Sequence, residues 1–179
     1  MTVNNRKLIL YIACSLDGYI AKPNDDLGFL NIVQKEGEDY GYNDFVSTVD
    51  TIILGRKTYD WVQREIGTSH YDNGERNVYV ITGTERPDVG KTKFRNGNLI
   101  ELVRQLKSEN GKNIFCDGGS EIVNQLLSEK LIDEFIISVV PVLVGSGTRL
   151  FKDGRPEQFL ELVSVKSFET GLLQLHYKI

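Results

Sequence analysis

Strands that alternate with helices and then close in a pair of strands with no helix between them predict an α/β protein in three layers. The expected core is a central mixed, mostly parallel sheet with helices on both faces and a C-terminal antiparallel hairpin. Three observations carry this. Lys7–Cys14, Thr51–Leu54 and Leu131–Val140 are short runs dense in branched apolar residues, the composition of strands buried on both faces. Leu99, Leu102, Val103 and Leu106 fall on one helical face. Phe159–Ile179 holds two strand-like runs split by Glu169-Thr170-Gly171, a turn that suits a hairpin. With 179 residues the chain is expected to form one domain, residues 1–179.

Taken in order, the first strand ends at Ser15-Leu16-Asp17-Gly18, where Asp17-Gly18 is a turn pair, and loop continues through Pro23-Asn24-Asp25-Asp26. With its glycines, proline and polar tip, Asp17–Gly28 has the composition of a lid. A helix starting near Glu38 or Asn43 is expected to end over Phe45–Val49, before the strand Thr51–Leu54. Lys57–Arg64 reads as a helix, followed by a polar loop Gly67–Glu75. Asn77–Thr82 alternates as a strand does, Thr92–Phe94 forms a short one, and Asn98 is placed to cap the helix beginning at Leu99. Asn113–Cys116 is a strand broken by Asp117-Gly118-Gly119-Ser120, and Glu121–Ser128 a helix.

The composition narrows the function classes. Net charge is −4, so no global basic field favours nucleic acid or an anionic membrane surface, and any phosphate site must be local. The polar lead Met1–Arg6 is not a signal-peptide core, and no apolar run reaches the roughly 20 residues of a membrane span. Cys14 and Cys116 sit singly in apolar runs and read as buried free thiols in a reducing compartment, which points to the cytoplasm. His70 and His176 have neither triad nor metal spacing, there is no nucleophile elbow, and no metal is expected.

Three strand exits carry the candidate chemistry: Leu54-Gly55-Arg56-Lys57-Thr58, Thr82-Gly83-Thr84 and Asp117-Gly118-Gly119-Ser120-Glu121. In an open α/β sheet, ligands collect at the C-terminal ends of the strands. Glycines there let backbone approach a phosphate, and the first amides of a helix have no internal partner. At the first exit Arg56 and Lys57 add full charges. None of the three is a P-loop or a dinucleotide fingerprint. Among the carboxylates, Asp17 either caps its own turn or takes part in chemistry. Asp39 and Asp44 either project into a cleft or lie on a solvated helix face. Asp117, at the end of a buried strand, is expected to be partly desolvated with a raised pKa; it serves either as a proton source or as a partner for its turn.

The succession of motifs resembles dihydrofolate reductases, and more closely the reductase domain of bacterial riboflavin biosynthesis and its small stand-alone relatives. The likeness runs from Ala13-Cys14-Ser15-Leu16-Asp17-Gly18-Tyr19-Ile20-Ala21 through Val49–Tyr59 and Asp117–Ser120. It continues in Leu131-Ile132-Asp133-Glu134 and Pro141–Phe151, so it spans most of the chain in the right order. It implies a dihydrofolate reductase-like fold and an NADPH-dependent reductase that passes hydride to a small heterocyclic or imine substrate, pterin-like or ribosylamino-pyrimidine-like. A nucleotide- or pterin-binding protein without turnover is the other reading of the same fold. On this resemblance Ala13 and Ile20 flank the nicotinamide, Gly55, Arg56, Lys57 and Thr58 hold phosphates, and Thr82, Gly83 and Thr84 line the adenosine end. Gly118, Gly119, Ser120 and Glu121 meet the pyrophosphate, across a Gly-Gly bond that is often cis. Asp117, Asp17 and Asp39 are the candidate catalytic carboxylates. Dihydrofolate reductases carry a basic residue where Glu121 stands. The expected partners are a small-molecule substrate and a second copy in a homodimer, with no nucleic acid or membrane.

Overall fold

The structure, a computed structural model, describes residues 6–71 and 73–179; Met1–Asn5 of the polar lead, and Asp72 in the polar loop, lie outside the described residues. In chain order the elements are β1 (Leu8–Ser15), β2 (Tyr19–Ala21), α1 (Tyr42–Ser47), β3 (Val49–Gly55), α2 (Arg56–Glu65), β4 (Asn77–Ile81) and β5 (Thr92–Arg95). They continue with α3 (Leu99–Ser108), β6 (Asn113–Gly118), α4 (Ser120–Ser128), β7 (Glu134–Val140), β8 (Thr148–Arg149), β9 (Glu161–Ser167) and β10 (Leu173–Lys178).

Eight strands form one sheet in the order β5-β4-β3-β6-β1-β7-β10-β9. The first six are parallel; β10 runs antiparallel to β7, and β9 to β10. Alternation along the strands feeds two cores. Leu8, Leu10 and Cys14 of β1 pack with Val103 and Leu106 of α3 and Ile122, Val123 and Leu126 of α4. Ile9 and Tyr11 pack with Phe45 of α1 and Tyr59 and Val62 of α2 on the opposite face. Right-handed crossovers account for the split: helices on the way out toward β5 cover one face, and those on the way back toward β7 cover the other.

Local chemistry sets the boundaries. Asn98 caps α3 as its residue type predicts, its side chain accepting from the amides of Ile100 and Glu101. β6 runs through Asp117 and Gly118 rather than breaking at Cys116, because Gly118 still pairs with Leu54 of β3. Leu131–Asp133 is not strand: Leu131 donates back to the Leu126 carbonyl at the end of α4, and the Asp133 carboxylate accepts the Leu8 amide at 2.7 Å. α1 is confined to Tyr42–Ser47, since Gly41 (φ +80°) precedes it and Val49 already belongs to β3. Asp17–Gly28 is a clamp rather than a free lid. β2 pairs with β8, the Leu150 amide donates to Gly18 at 2.9 Å, and Lys22 closes onto Asp26 at 2.8 Å.

Candidate functional site

The sheet topology singles out the C-terminal end of β6. Its neighbours β3 and β1 both continue toward the face covered by α1 and α2, whereas β6 continues into α4 on the other face. Backbone therefore parts on either side of β6, the arrangement in which α/β sheets bind ligands. Gly55 and Gly119 are the N-caps of α2 and α4, and neither helix start carries a side-chain cap. The two starts abut: a Cβ on Gly55 would lie 3.8 Å from the Gly119 nitrogen and 3.3 Å from Ile122, and one on Gly119 would lie 3.3 Å from Thr58 Oγ1. The Gly118–Gly119 peptide is cis, the form the family resemblance implied. Two uncapped helix N-termini in contact concentrate unpaired amides and partial positive charge in one place.

Cations surround this junction. Asp60 on α2 is shared by Arg56 (3.3 Å) and by Arg86 (2.9 Å), so a single carboxylate faces two guanidinium groups, with Lys57 exposed beside them. The sequence candidates did not include Arg86; its only linear signal is its place just after the Thr82-Gly83-Thr84 exit. Thr82 is buried and its hydroxyl accepts the Thr84 amide at 3.2 Å, while Gly83 and Thr84 are exposed at the end of β4. Two residues expected at the pyrophosphate have other contacts. Ser120 is buried and donates to the Arg149 carbonyl at 2.6 Å. Glu121 is exposed, forms an ion pair with Lys152, and lines a 220 Å³ groove on the outer side of α4.

Asp117 projects from β6 on the same side of the sheet as Tyr11 and Ala13 of β1. Its carboxylate accepts a hydrogen bond from the hydroxyl of Tyr71, a buried ring stacked on Tyr59 at 5.9 Å. Burial pushes the Asp117 carboxyl up to about 7, with the Tyr71 bond opposing that rise. Tyr71 lies in a polar loop without periodicity, and no sequence pattern marked it. Tyr42 links this pair to the neighbouring cleft: burial pushes its hydroxyl up to about 12, and the nearby Asp117 adds to the rise.

That cleft, about 590 Å³, lies between the C-terminal half of β1, β7 and the segment running from Gly28–Val33 to α1; Tyr11, Ala13, Tyr42 and Ser138 contribute to its walls. Gln174 braces the inner wall, donating to Tyr11 Oη (3.2 Å), Ser138 Oγ (3.3 Å) and the Tyr40 carbonyl (3.1 Å). Asp39 sits at the rim just before α1, not on it. Its carboxylate accepts the amides of Asn43 and Gly41, which hold it below the usual carboxylate range. Asp17 lies outside the cleft lining. It accepts from Ser15 Oγ and from the amides of Val144 (3.0 Å) and Gly145 (2.7 Å), bonds that bring it down to about 2. Ile20 packs against the core on the α3–α4 side. Among the described residues, no cluster of three or more His, Cys, Asp or Glu side chains is placed to hold a metal, and no helix is long and apolar enough to cross a membrane.

Fold and cleft together define a dihydrofolate reductase-like α/β protein, and the chain belongs to the RibD C-terminal domain family, which it matches over residues 6–174. It is 43% identical over 175 residues to the uncharacterized protein YwjB of Bacillus subtilis, covering 96% of this chain and 97% of that one. A second uncharacterized protein of that organism, YyaP, is 30% identical over 184 residues, covering 98% and 96%. Among solved structures, a putative riboflavin biosynthesis protein from Shewanella superposes with a TM-score of 0.85 at 27% identity, over 96% of this chain and 98% of its own. A pyrimidine reductase-like protein from Corynebacterium diphtheriae shares the fold at 14% identity, with a TM-score of 0.69 and coverage of 99% and 93%. So does a Thermotoga maritima deaminase/5-amino-6-(5-phosphoribosylamino)uracil reductase, at 14% identity and a TM-score of 0.71, where the match covers 97% of this chain and 56% of that one.

Proposed function

We propose that the protein is an NADPH-dependent reductase that delivers hydride to a C=N carbon of a small heterocyclic, pyrimidine- or pterin-like substrate. One observation carries this reading: β6 ends between an anion-ready junction of two uncapped helix starts and a tyrosine-walled cleft, with the Asp117 carboxyl, held by Tyr71, behind the cleft residue Tyr42. The residues present suit the cofactor. Gly55 and Gly119 lack the Cβ atoms that would separate α2 from α4, and the first turn of α2 has no acidic side chain to repel a phosphate. Arg56, Lys57 and Arg86 would hold phosphate charge, Thr82–Thr84 the adenosine end, and Ala13 the nicotinamide edge at the cleft. When bound, NADPH supplies the hydride.

The chain's own residues would do the rest. Tyr11, Tyr42 and Ala13 exclude water and present the substrate ring, and the Gln174 bonds hold Tyr11 in place. As the carbon is reduced, the imine nitrogen needs a proton, and the Asp117 carboxyl, which burial keeps protonated up to about 7, would supply it. Asp17 acts at a distance, tying the β1–β2 turn to the Val144–Gly145 loop; Asp39 shapes the rim. The test is nicotinamide fluorescence followed by NADPH oxidation. Binding at tens of micromolar together with oxidation that needs a pterin or ribosylamino-pyrimidine is expected. Binding without oxidation on any such substrate would make the protein a binder, and no binding would end the reading.

The buried, unpaired Cys14 and Cys116 support a cytoplasmic setting. The edge strand β9 supports a homodimer: Leu162, Val163 and Val165 are about half exposed on a free edge beside Phe159 (86% exposed). Val165→Lys is expected to convert dimer to monomer in sedimentation; a wild-type monomer would dispose of the pairing.

A further inference from the structure

The cleft also carries information about its substrate's charge, and here we build on the reductase reading. One cation, Lys35, lines it, and its ammonium is held in an ion pair by Glu169 outside the lining. Three carboxylates stand at the same rim: Glu36, Glu38 and Asp39. The backbone amides of Gly41 and Asn43 fix Asp39 in its ionised form. Glu38 is oriented by the Tyr40 amide at 2.9 Å. No arginine is among the lining residues. Of the arginines near the site, Arg56 and Arg86 are at the β3 and β4 exits, engaged with Asp60, and Arg76, near Tyr42, is held by Glu75 and the Val46 carbonyl outside the lining. The inner wall offers only neutral donors and acceptors, the hydroxyls of Tyr11, Tyr42 and Ser138.

Such a cleft suits a flat ring that hydrogen-bonds through neutral groups and stacks on tyrosine. It opposes a dianion. A phosphate ester there would need a bidentate guanidinium or a helix start, the devices this fold places at the other end of the site. We propose that the substrate is an unphosphorylated pyrimidine-like ring, uncharged or cationic, and that the acidic rim selects against the phosphate ester named for the Thermotoga enzyme.

A matched pair of compounds tests this: 5-amino-6-(5-phosphoribosylamino)uracil and the same molecule without its phosphate, each titrated calorimetrically into the intact protein with and without NADPH. The unphosphorylated compound is expected to bind about tenfold tighter at low salt, the scale of like-charge repulsion across a solvated rim. The gap should close near 1 M salt, where the screening length falls to about 3 Å. The double variant Glu36→Lys, Glu38→Lys, at two exposed positions, should reverse the preference. Equal or tighter binding of the phosphate ester to the natural protein overturns the proposal, as does failure of both compounds to bind at millimolar concentration. The reductase reading is judged separately, by NADPH binding and by oxidation with a pterin, so the two can fail independently.

Discussion

At the ends of β3 and β6 the backbone is glycine and the nearby side chains are cationic, whereas across β1 the cleft is walled by tyrosines and rimmed by carboxylates. The first region is made by topology, because two crossovers leave adjacent strands toward opposite faces and their helix starts meet. The second is made by packing: Phe29 and Val33 of the Gly28–Val33 segment are buried against Val140 and Leu172, and this turns the stretch before α1 into the cleft's outer wall. A cation-rich region and a tyrosine-walled, acid-rimmed cleft thus sit side by side, each with its own sign of charge.

The sharpest way to separate the two regions is at their boundary. Asp117→Asn keeps the shape and the acceptor for Tyr71 but loses the transferable proton. Turnover should fall about 10²- to 10³-fold while NADPH affinity stays within about twofold. Unchanged steady-state turnover would return Asp117 to a structural role. The same variant should be stabilised at neutral pH. In the folded chain the carboxyl keeps its proton up to about 7, against an ordinary value of 3.8, so folding takes up a proton between those values and stability falls as pH rises through that window. Chemical denaturation at pH 5 and pH 8 should show the natural protein losing on the order of 2 kcal/mol across that range. Asp117→Asn should lose little of it.

Next come two glycines, one in the β2–β8 clamp and one at the junction. A Cβ on Gly147 (φ +133°) would lie 2.1 Å from the Ala21 carbonyl oxygen, a backbone atom in the β2–β8 clamp. Gly147→Ala should therefore cost about 3 kcal/mol or more in thermal or denaturant unfolding. On Gly55 the close neighbour is the flexible tip of Ile122, at 3.3 Å. Gly55→Ala should cost under about 1.5 kcal/mol in the same measurement and show instead as weakened NADPH binding. Equal costs would mean the junction is as tightly locked as the clamp.

Arg56→Ala should raise the NADPH dissociation constant about tenfold with no loss of melting temperature, since its partner Asp60 keeps Arg86. Affinity unchanged for both NADPH and NADH would remove Arg56 from the phosphate site. The smallest effect is expected from Tyr71→Phe. The hydroxyl donates to the ionised Asp117 carboxylate and favours that form, so its loss should move the alkaline limb of the pH–rate profile upward by up to about one unit. A profile that does not move would leave Tyr71 with packing alone.

Much of this was legible in the linear chain. The branched apolar runs of β1, β3 and β7 specify buried strands, because only a sheet covered on both faces hides every side chain of such a run. The Asn98 cap and the α3 spacing are equally local. The strand exits at Gly55 and Gly119 were visible as glycine beside cations or hydroxyls, and the desolvation of Asp117 followed from its place at a buried strand's end. Tyr71, Arg86 and Gln174 had no such mark. Each acts on residues far away in sequence, Tyr71 on Asp117, Arg86 on Asp60 and Gln174 on Tyr11, and a single side chain in a loop or strand carries no period that reveals its partner.

Sequence alone determined the class of fold and the anion-ready character of the helix starts, because hydrophobic period and helix-end chemistry are properties of neighbouring residues. Tertiary structure decided how those starts meet. It also turned Asp17 into a clamp through Val144 and Gly145, put Glu121 on an outer groove with Lys152, and set Asp39 at an acidic rim. In each case the deciding partner is a distant residue, or an amide whose direction only the folded backbone sets.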